Sequence, residues 1–316
     1  MTSTCGKYRN RTAIGALLTC AVIASVVSTA SAAEYKLYFL GGQSNMEGFG
    51  YSEKLPERAA ITSPKVMIFT GQMALDNETH GGVGVWAPLQ PGYGTGFKTD
   101  GKINQLSNRF GPELLFGQTM SELSPDSKIA IVKYALGGSG LALGVGYGNW
   151  HPDFSEGAGL NQYDHALKTL RNALAHVDIN GDDVVDRLIP TGIVWMQGEA
   201  DAFDSQAAAD EYRANIERLM NLLRAALRVD DLPVVVGKIT DSGMAEDGTV
   251  MDYIETVQQA QQNFVESDVC AAYVTVTDDL TFSSDAWHYD TDGFVQMGIA
   301  FAKAMSKLES TCGPVQ

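Results

Sequence analysis

The sequence predicts an α/β protein built on a parallel sheet that helices cover on both faces. Three observations carry this. Short, strongly apolar runs at residues 35–40, 65–69, 129–134, 193–196, 234–239 and 272–276 have the length of buried strands. Helical patterns at residues 111–123, 163–176, 206–229, 253–265 and 293–308 fall between and after them. The strand runs are apolar throughout rather than alternating, as strands are when both faces of a sheet are covered.

In chain order, Lys7, Arg9 and Arg11 precede an uncharged, largely apolar run that closes on Ala30-Ser31-Ala32. This is the layout of a secretory signal peptide, expected over residues 1–32, with a mature domain at 33–316 that is secreted or periplasmic. Its removal takes away three basic residues of 22 and none of the 38 acidic ones, so the mature chain is strongly acidic. Such a field repels nucleic acid and anionic lipid, and no basic stripe overrides it; neither is an expected partner. Cys5 and Cys20 leave with the signal, and the two remaining cysteines, Cys270 and Cys312, are expected to pair in an exported protein.

The run Tyr35-Lys36-Leu37-Tyr38-Phe39-Leu40 ends on Gly41-Gly42 and delivers Gln43-Ser44-Asn45-Met46. A serine just past a buried strand stands where open α/β sheets place their ligands, so Ser44 is a candidate nucleophile. Ser and Asn are also ordinary helix caps, and the turn alone does not decide between the two roles. Residues 70–102 are Gly-rich and aperiodic, as a long functional loop would be, and Trp86 and Tyr93 within it could face a ligand or fill the core. Two later strands run into Gly137-Gly138-Ser139-Gly140 and Gln197-Gly198-Glu199-Ala200-Asp201, which put glycine beside hydrogen-bond donors. An acyl-transfer enzyme needs such donors for its oxyanion. The helical segment 206–229 carries Ile216, Leu219, Met220, Leu223 and Leu227 as a single buried stripe.

Between the second and third helical patterns, Asp178, Asn180, Asp182 and Asp186 place oxygen side chains in the partial pattern of a helix-loop calcium site. The loop resembles one calcium loop of a dockerin module, but has Asp183 where glycine is usual and Ile189 where a carboxylate is usual. A structural Ca²⁺ and a simple polar turn both remain open. Near the end, Asp285 precedes His288 by three residues, one of only five histidines. That spacing lets the carboxylate hold Nδ1 and leave Nε2 free as a base.

Taken together, Gly42-Gln43-Ser44-Asn45-Met46, Gly137-Gly138-Ser139, Trp195-Met196-Gln197-Gly198-Glu199-Ala200-Asp201 and Asp285-Ala286-Trp287-His288 resemble, in order, the motifs of the SGNH (GDSL-like) hydrolases. More narrowly the chain is similar to their sialate O-acetylesterase-like branch, which includes acetyl xylan esterases, over nearly the whole mature length. The resemblance implies a three-layer α/β/α sandwich with Ser44, His288 and Asp285 as nucleophile, base and orienting acid. It further implies oxyanion donors at the Ser44 and Gly138 N–H groups and the Gln197 side chain, with Gln43 and Glu199 in support. The expected activity is hydrolysis of acetyl esters on a carbohydrate through an acetyl-enzyme, with no cofactor required. A general short-chain carboxylesterase and a non-catalytic carbohydrate-binding protein are the alternatives; an intact triad speaks against the second.

Overall fold

The computed structural model describes residues 1–6 and 32–312, so the predicted signal peptide falls largely outside the described residues. Contacts within the chain separate Met1–Ser31 from a compact unit, Ala32–Gln316, to which all the elements below belong.

Seven strands form the central sheet: β1 (Glu34–Gly42), β2 (Ser63–Thr70), β3 (Trp86–Leu89), β4 (Lys128–Ala135), β5 (Arg187–Met196), β6 (Val234–Gly237) and β7 (Ala271–Val274). Their order is β7-β6-β5-β1-β4-β2-β3, parallel except for the antiparallel edge pair β2/β3. The chain therefore leaves β1 in one direction and returns to build the other half, which makes the carboxyl end of β1 the switch point where such sheets open a crevice. Register fixes what meets there. Gly42 pairs with Met196 on one side and Ala135 on the other, so β1, β4 and β5 stop at one level.

The helices are α1 (Ser44–Glu47), α2 (Glu113–Leu123), α3 (Gln162–Ala175), α4 (Glu199–Asp204), α5 (Gln206–Leu227), α6 (Ile254–Ser267) and α7 (Thr291–Glu309). Residues paired across a parallel sheet face the same way, and the two faces are read from that. Tyr38 stands edge-on to Phe116 of α2, and its hydroxyl donates to Glu309 Oε1 of α7 at 2.6 Å. Phe39, Val132 and Phe69 share the opposite face, where Phe69 meets Trp86 and Trp86 Nε1 donates to Ala173 O of α3. The stripe predicted on residues 206–229 is buried along α5, with α6 packed beside it.

The segment at 70–102 differs from the expectation of an unstructured loop. It supplies the edge strand β3 and half of a two-stranded ribbon, Lys98–Thr99 with Asn104–Gln105. Trp86 and Tyr93 are core residues, at 9% and 2% exposure, so neither meets a ligand from this position.

Candidate active site

The turn that carries Ser44 is a consequence of β1 stopping hard against β5. Gly42 has φ 148°, and a Cβ there would lie 2.0 Å from Met196 O, so only glycine fits. Gln43 N then donates to Met196 O at 3.0 Å, and α1 starts with Ser44 in its first turn. The pattern Ser-x-x-Glu over residues 44–47 is that of a capping box, in which the glutamate would claim the serine's own N–H. Glu47 instead crosses to the next loop, where Oε2 accepts from Gly137 N at 2.8 Å. No group of the described residues accepts from Ser44 N or Gly138 N. Burial pushes the Glu47 carboxyl up, partly offset by hydrogen bonds from Thr95 and Gly137 and by the charges of Lys133 and His288. Beneath α1, the buried Lys133 ammonium donates to Glu47 O (2.8 Å), Tyr93 O (2.9 Å) and Glu113 Oε2 (2.7 Å), anchoring the short helix to β4.

The loop after β4 turns at Gly138, whose φ of 68° lies in the left-handed region. Ser139 is fully buried; its hydroxyl donates to Leu136 O and accepts from Trp150 Nε1, so it is structural. The loop after β5 holds the main departure from the sequence-based assignment. Gln197 is completely buried, and its Nε2 donates to Asp201 Oδ2 (2.7 Å) and Ser139 O (3.1 Å). Both amide protons are bound within the fold, tying Gln197 to the Gly138 loop and to Asp201. Asp201, also fully buried, accepts in addition from Leu141 N and Ala142 N. Burial pushes its carboxyl up to about 6, against the opposing effect of those hydrogen bonds. Gln43, next to Ser44 in the chain, differs from Gln197. Its Oε1 accepts from Gly198 N and Ala200 N, its Nε2 meets no acceptor among the described residues, and it lines the cavity at Ser44.

Asp285 and His288 come together as spaced. Asp285 Oδ1 lies 3.0 Å from His288 Nδ1, yet the ring nitrogen is off the line of a hydrogen bond. The same oxygen accepts from the N–H groups of Trp287 (2.9 Å) and His288 (2.8 Å), and Oδ2 accepts from Ser283 Oγ. Burial pushes the Asp285 carboxyl up, but these hydrogen bonds and the neighbouring imidazole outweigh it and leave the group below its ordinary value. Phe49 stacks flat on the imidazole, 3.6 Å between centroids and 5° between planes, which fixes the ring plane. Asn45 ties the pieces together: Nδ2 donates to Glu199 Oε1 (2.8 Å) and to Trp287 O (3.0 Å). Glu199 is buried, and desolvation raises its pKa against the opposing hydrogen bond from Asn45.

Ser44, Gly138 and His288 line one cavity of about 580 Å³, with Gln43, Phe49, Tyr147, Phe203, Asp204 and Trp287 among its walls. Sequence reasoning missed Glu47, Phe49 and this aromatic rim. The Ser-x-x-Glu pattern was a signal for the first; nothing local marks the others. The family model "Carbohydrate esterase, sialic acid-specific acetylesterase" matches residues 34–307. The chain belongs to that family. Among curated relatives of this esterase family, a probable carbohydrate esterase of Arabidopsis thaliana is 31% identical over 112 residues, which is 35% of this chain and only 38% of that protein. The crystal structure from the same Arabidopsis locus superposes with a TM-score of 0.57 at 21% identity, over 85% of this chain and 97% of that one. A carbohydrate acetylesterase from Xanthomonas citri (TM-score 0.58, 16% identity, 85% of this chain and 55% of that one) and NanS (0.58, 17%, 88% and 98%) share the fold.

In the acidic loop at 178–186 the oxygen side chains bond mainly to the loop itself. Asp178 accepts from Gly181 N, Asp182 N and Asp183 N, and Asn180 and Asp182 bond each other and the loop backbone. Asp186 turns away, to Ala33 N and Ile179 N, and the described residues contain no group of three or more His, Cys, Asp or Glu placed to hold a metal ion. Cys270 and Cys312 are joined, with Cα atoms 5.6 Å apart.

Proposed function

We propose that the protein hydrolyses acetyl esters of carbohydrates by acyl transfer to Ser44. Ser44 Oγ attacks the acetyl carbonyl and its proton passes to His288 Nε2; the oxyanion is met by the N–H groups of Ser44 and Gly138 and by Gln43 Nε2. Collapse expels the sugar oxygen, which takes the proton back from His288. Water, deprotonated by the same imidazole, then frees acetate and restores the serine. Asp285 and the Phe49 stack hold the ring, and Asn45 with Glu199 holds the serine turn to the histidine loop. No cofactor enters any step.

The observation that carries this reading is the pair of unclaimed N–H groups at Ser44 and Gly138, in one cavity with His288 at the switch point of the sheet. A capping box at residues 44–47 would have consumed the first. The Cys270–Cys312 bridge supports an oxidising, extracytoplasmic setting, in keeping with the signal-like leader. Turnover of 4-nitrophenyl acetate with covalent labelling by a serine-directed phosphonate tests the reading. Wild type is expected to turn over and to label at Ser44, and Ser44→Ala to lose activity by several orders of magnitude while staying folded. Full activity in that variant, or a label on another serine, overturns it.

A further inference from the structure

Four large side chains of the cavity take no part in this chemistry: those of Tyr147, Phe203, Asp204 and Trp287. Tyr147 is 82% exposed and Phe203 57%, and with Trp287 they gather aromatic surface around one cavity rather than scattering it. Tyr147 lies over Gly138, so closely that a Cβ at that glycine would be 2.5 Å from the ring. Across the cavity Phe203 stands edge-on to Trp287, 5.2 Å between centroids, beside His288. Two aromatic walls thus flank the serine, one on the oxyanion side and one on the base side. They present flat apolar surface of the kind on which the C–H face of a pyranose packs.

Asp204 supplies the polar half. It ends α4, is exposed, and has no partner among the described residues, so its oxygens are free to accept from sugar hydroxyls. It is also the only formally charged carboxylate on a wall that contains no Lys or Arg. Lys54 and Arg109 line a separate recess of about 530 Å³ that shares Phe49, Trp287 and His288 with the cavity but not Ser44. Arg109 is held there over the Tyr51 ring, 3.4 Å from its centroid, and by Phe49 O. A sialate carries its own carboxylate, which would enter a cavity whose wall has no Lys or Arg to pair with it, facing Asp204 in a chain of net charge −16.

We propose, resting on the esterase reading above, that the site takes O-acetylated neutral sugars and rejects O-acetylated sialates, with Asp204 as the specificity-determining residue. The partner of Tyr147, Phe203 and Trp287 is a neutral pyranose, and Asp204 binds its hydroxyls while repelling a carboxylate.

Acetate release from three substrates tests this: an acetylated xylo-oligosaccharide, free O-acetyl sialic acid, and the uncharged carboxamide of the same O-acetyl sialic acid. 4-Nitrophenyl acetate runs alongside. Wild type is expected to hydrolyse the xylo-oligosaccharide and to favour the carboxamide over the free acid by about tenfold or more in kcat/KM. Asp204→Asn should shrink the carboxamide-to-acid ratio several-fold, and Asp204→Lys should bring it to one or below. Equal rates on acid and carboxamide, a ratio unmoved by both variants, or turnover of 4-nitrophenyl acetate without any sugar ester overturns the inference and leaves the esterase reading standing. Loss of 4-nitrophenyl acetate turnover as well would mean that the esterase reading itself fails.

Discussion

Two short motifs, Asp178–Asp186 and Asp285–His288, each open on an aspartate and behave differently in the fold. In both, the leading aspartate closes its own turn by accepting backbone N–H groups, three in the first and two in the second. In the first loop the polar side chains serve mainly the loop's own backbone: Ile179 is buried in the core and Asp186 ties the loop to Ala33 N, but among the described residues no other element bonds Asp178, Asn180 or Asp182. In the second, Phe49 comes to stack on the imidazole, and Asn45 reaches across to Trp287 O. A carboxylate in a loop serves its own turn first. It becomes part of a site only when residues from other strands close on what that turn presents.

The same contrast separates the two glutamines, and it predicts the largest effects. Gln43 offers an unclaimed amide to the cavity, whereas both amide protons of Gln197 are bound. Gln43→Ala should therefore lower kcat by about 10²- to 10³-fold with KM little changed, as loss of an oxyanion donor does. Gln197→Ala should lower the melting temperature, since it strands Asp201 and Ser139 O, and at a temperature where it stays folded should cost less than tenfold. Steady-state kinetics beside thermal melts separate the two; a larger kcat loss in Gln197→Ala would return that residue to the oxyanion site.

Asp285→Asn comes next. The introduced amide oxygen still accepts from Trp287 and His288 N–H, so the turn survives and only the charge beside Nδ1 is lost. We expect kcat to fall about 10²-fold at unchanged melting temperature. The carboxylate is half exposed and poorly aligned with the ring, which keeps this loss below that of a buried triad acid. An unchanged kcat would leave Phe49 as the main constraint on His288.

What was legible in advance follows from how locally each feature is encoded. The strands β1, β4 and β5 are continuous apolar runs, and each is followed within a few residues by glycines that mark a sharp turn, so sheet and site position could be read directly. Edge strand β3 is four residues long, includes Pro88 and pairs only with β2, so no run or alternation marks it. Which strand-end glutamine faces the cavity depends on the backbone at Gly42 and on Asp201 packed beneath the neighbouring loop. Glu47 meets Gly137 across 90 residues, and Phe49 meets His288 from another element. Such pairings exist only after the sheet has formed.

The bracing layer also has a pH signature. Asp201 titrates near 3.8 when exposed and is raised to about 6 by burial, so between those values the folded chain binds more protons than the unfolded one. Stability must fall as pH rises through that window and level off above it, the reverse of a salt-bridged carboxylate. Glu47 and Glu199 shift in the same direction, and Asp285 in the opposite one. Comparing Asp201→Asn with wild type in urea melts at pH 4 and pH 7 isolates the contribution. The variant is expected to be less stable at both, with a smaller difference between them; an equal difference would mean that Asp201 is already ionised at pH 4 in the folded protein.

The smallest effect belongs to the acidic loop, and it decides whether the contrast between the two motifs holds. Asp178 accepts three N–H groups, all exposed to solvent, so water replaces it in part when it is removed. Asp178→Ala should cost about 1 kcal/mol, the net value of a few exposed hydrogen bonds, and leave kcat untouched. Asp183 sits at φ 63°, a left-handed position that aspartate tolerates and glycine prefers. Asp183→Gly should therefore be neutral or slightly stabilising, unlike the loss at Asp178. If the loop is only a turn, a chelator leaves the melting temperature of wild type where it was, and added Ca²⁺ does not raise it. A chelator-induced drop that Asp178→Ala abolishes would show a bound cation drawing these oxygens together, because a ligand held only by the folded state stabilises it. The loop at 178–186 would then also gather something from outside its own turn, and the contrast with Asp285–His288 would be one of ligand rather than of kind.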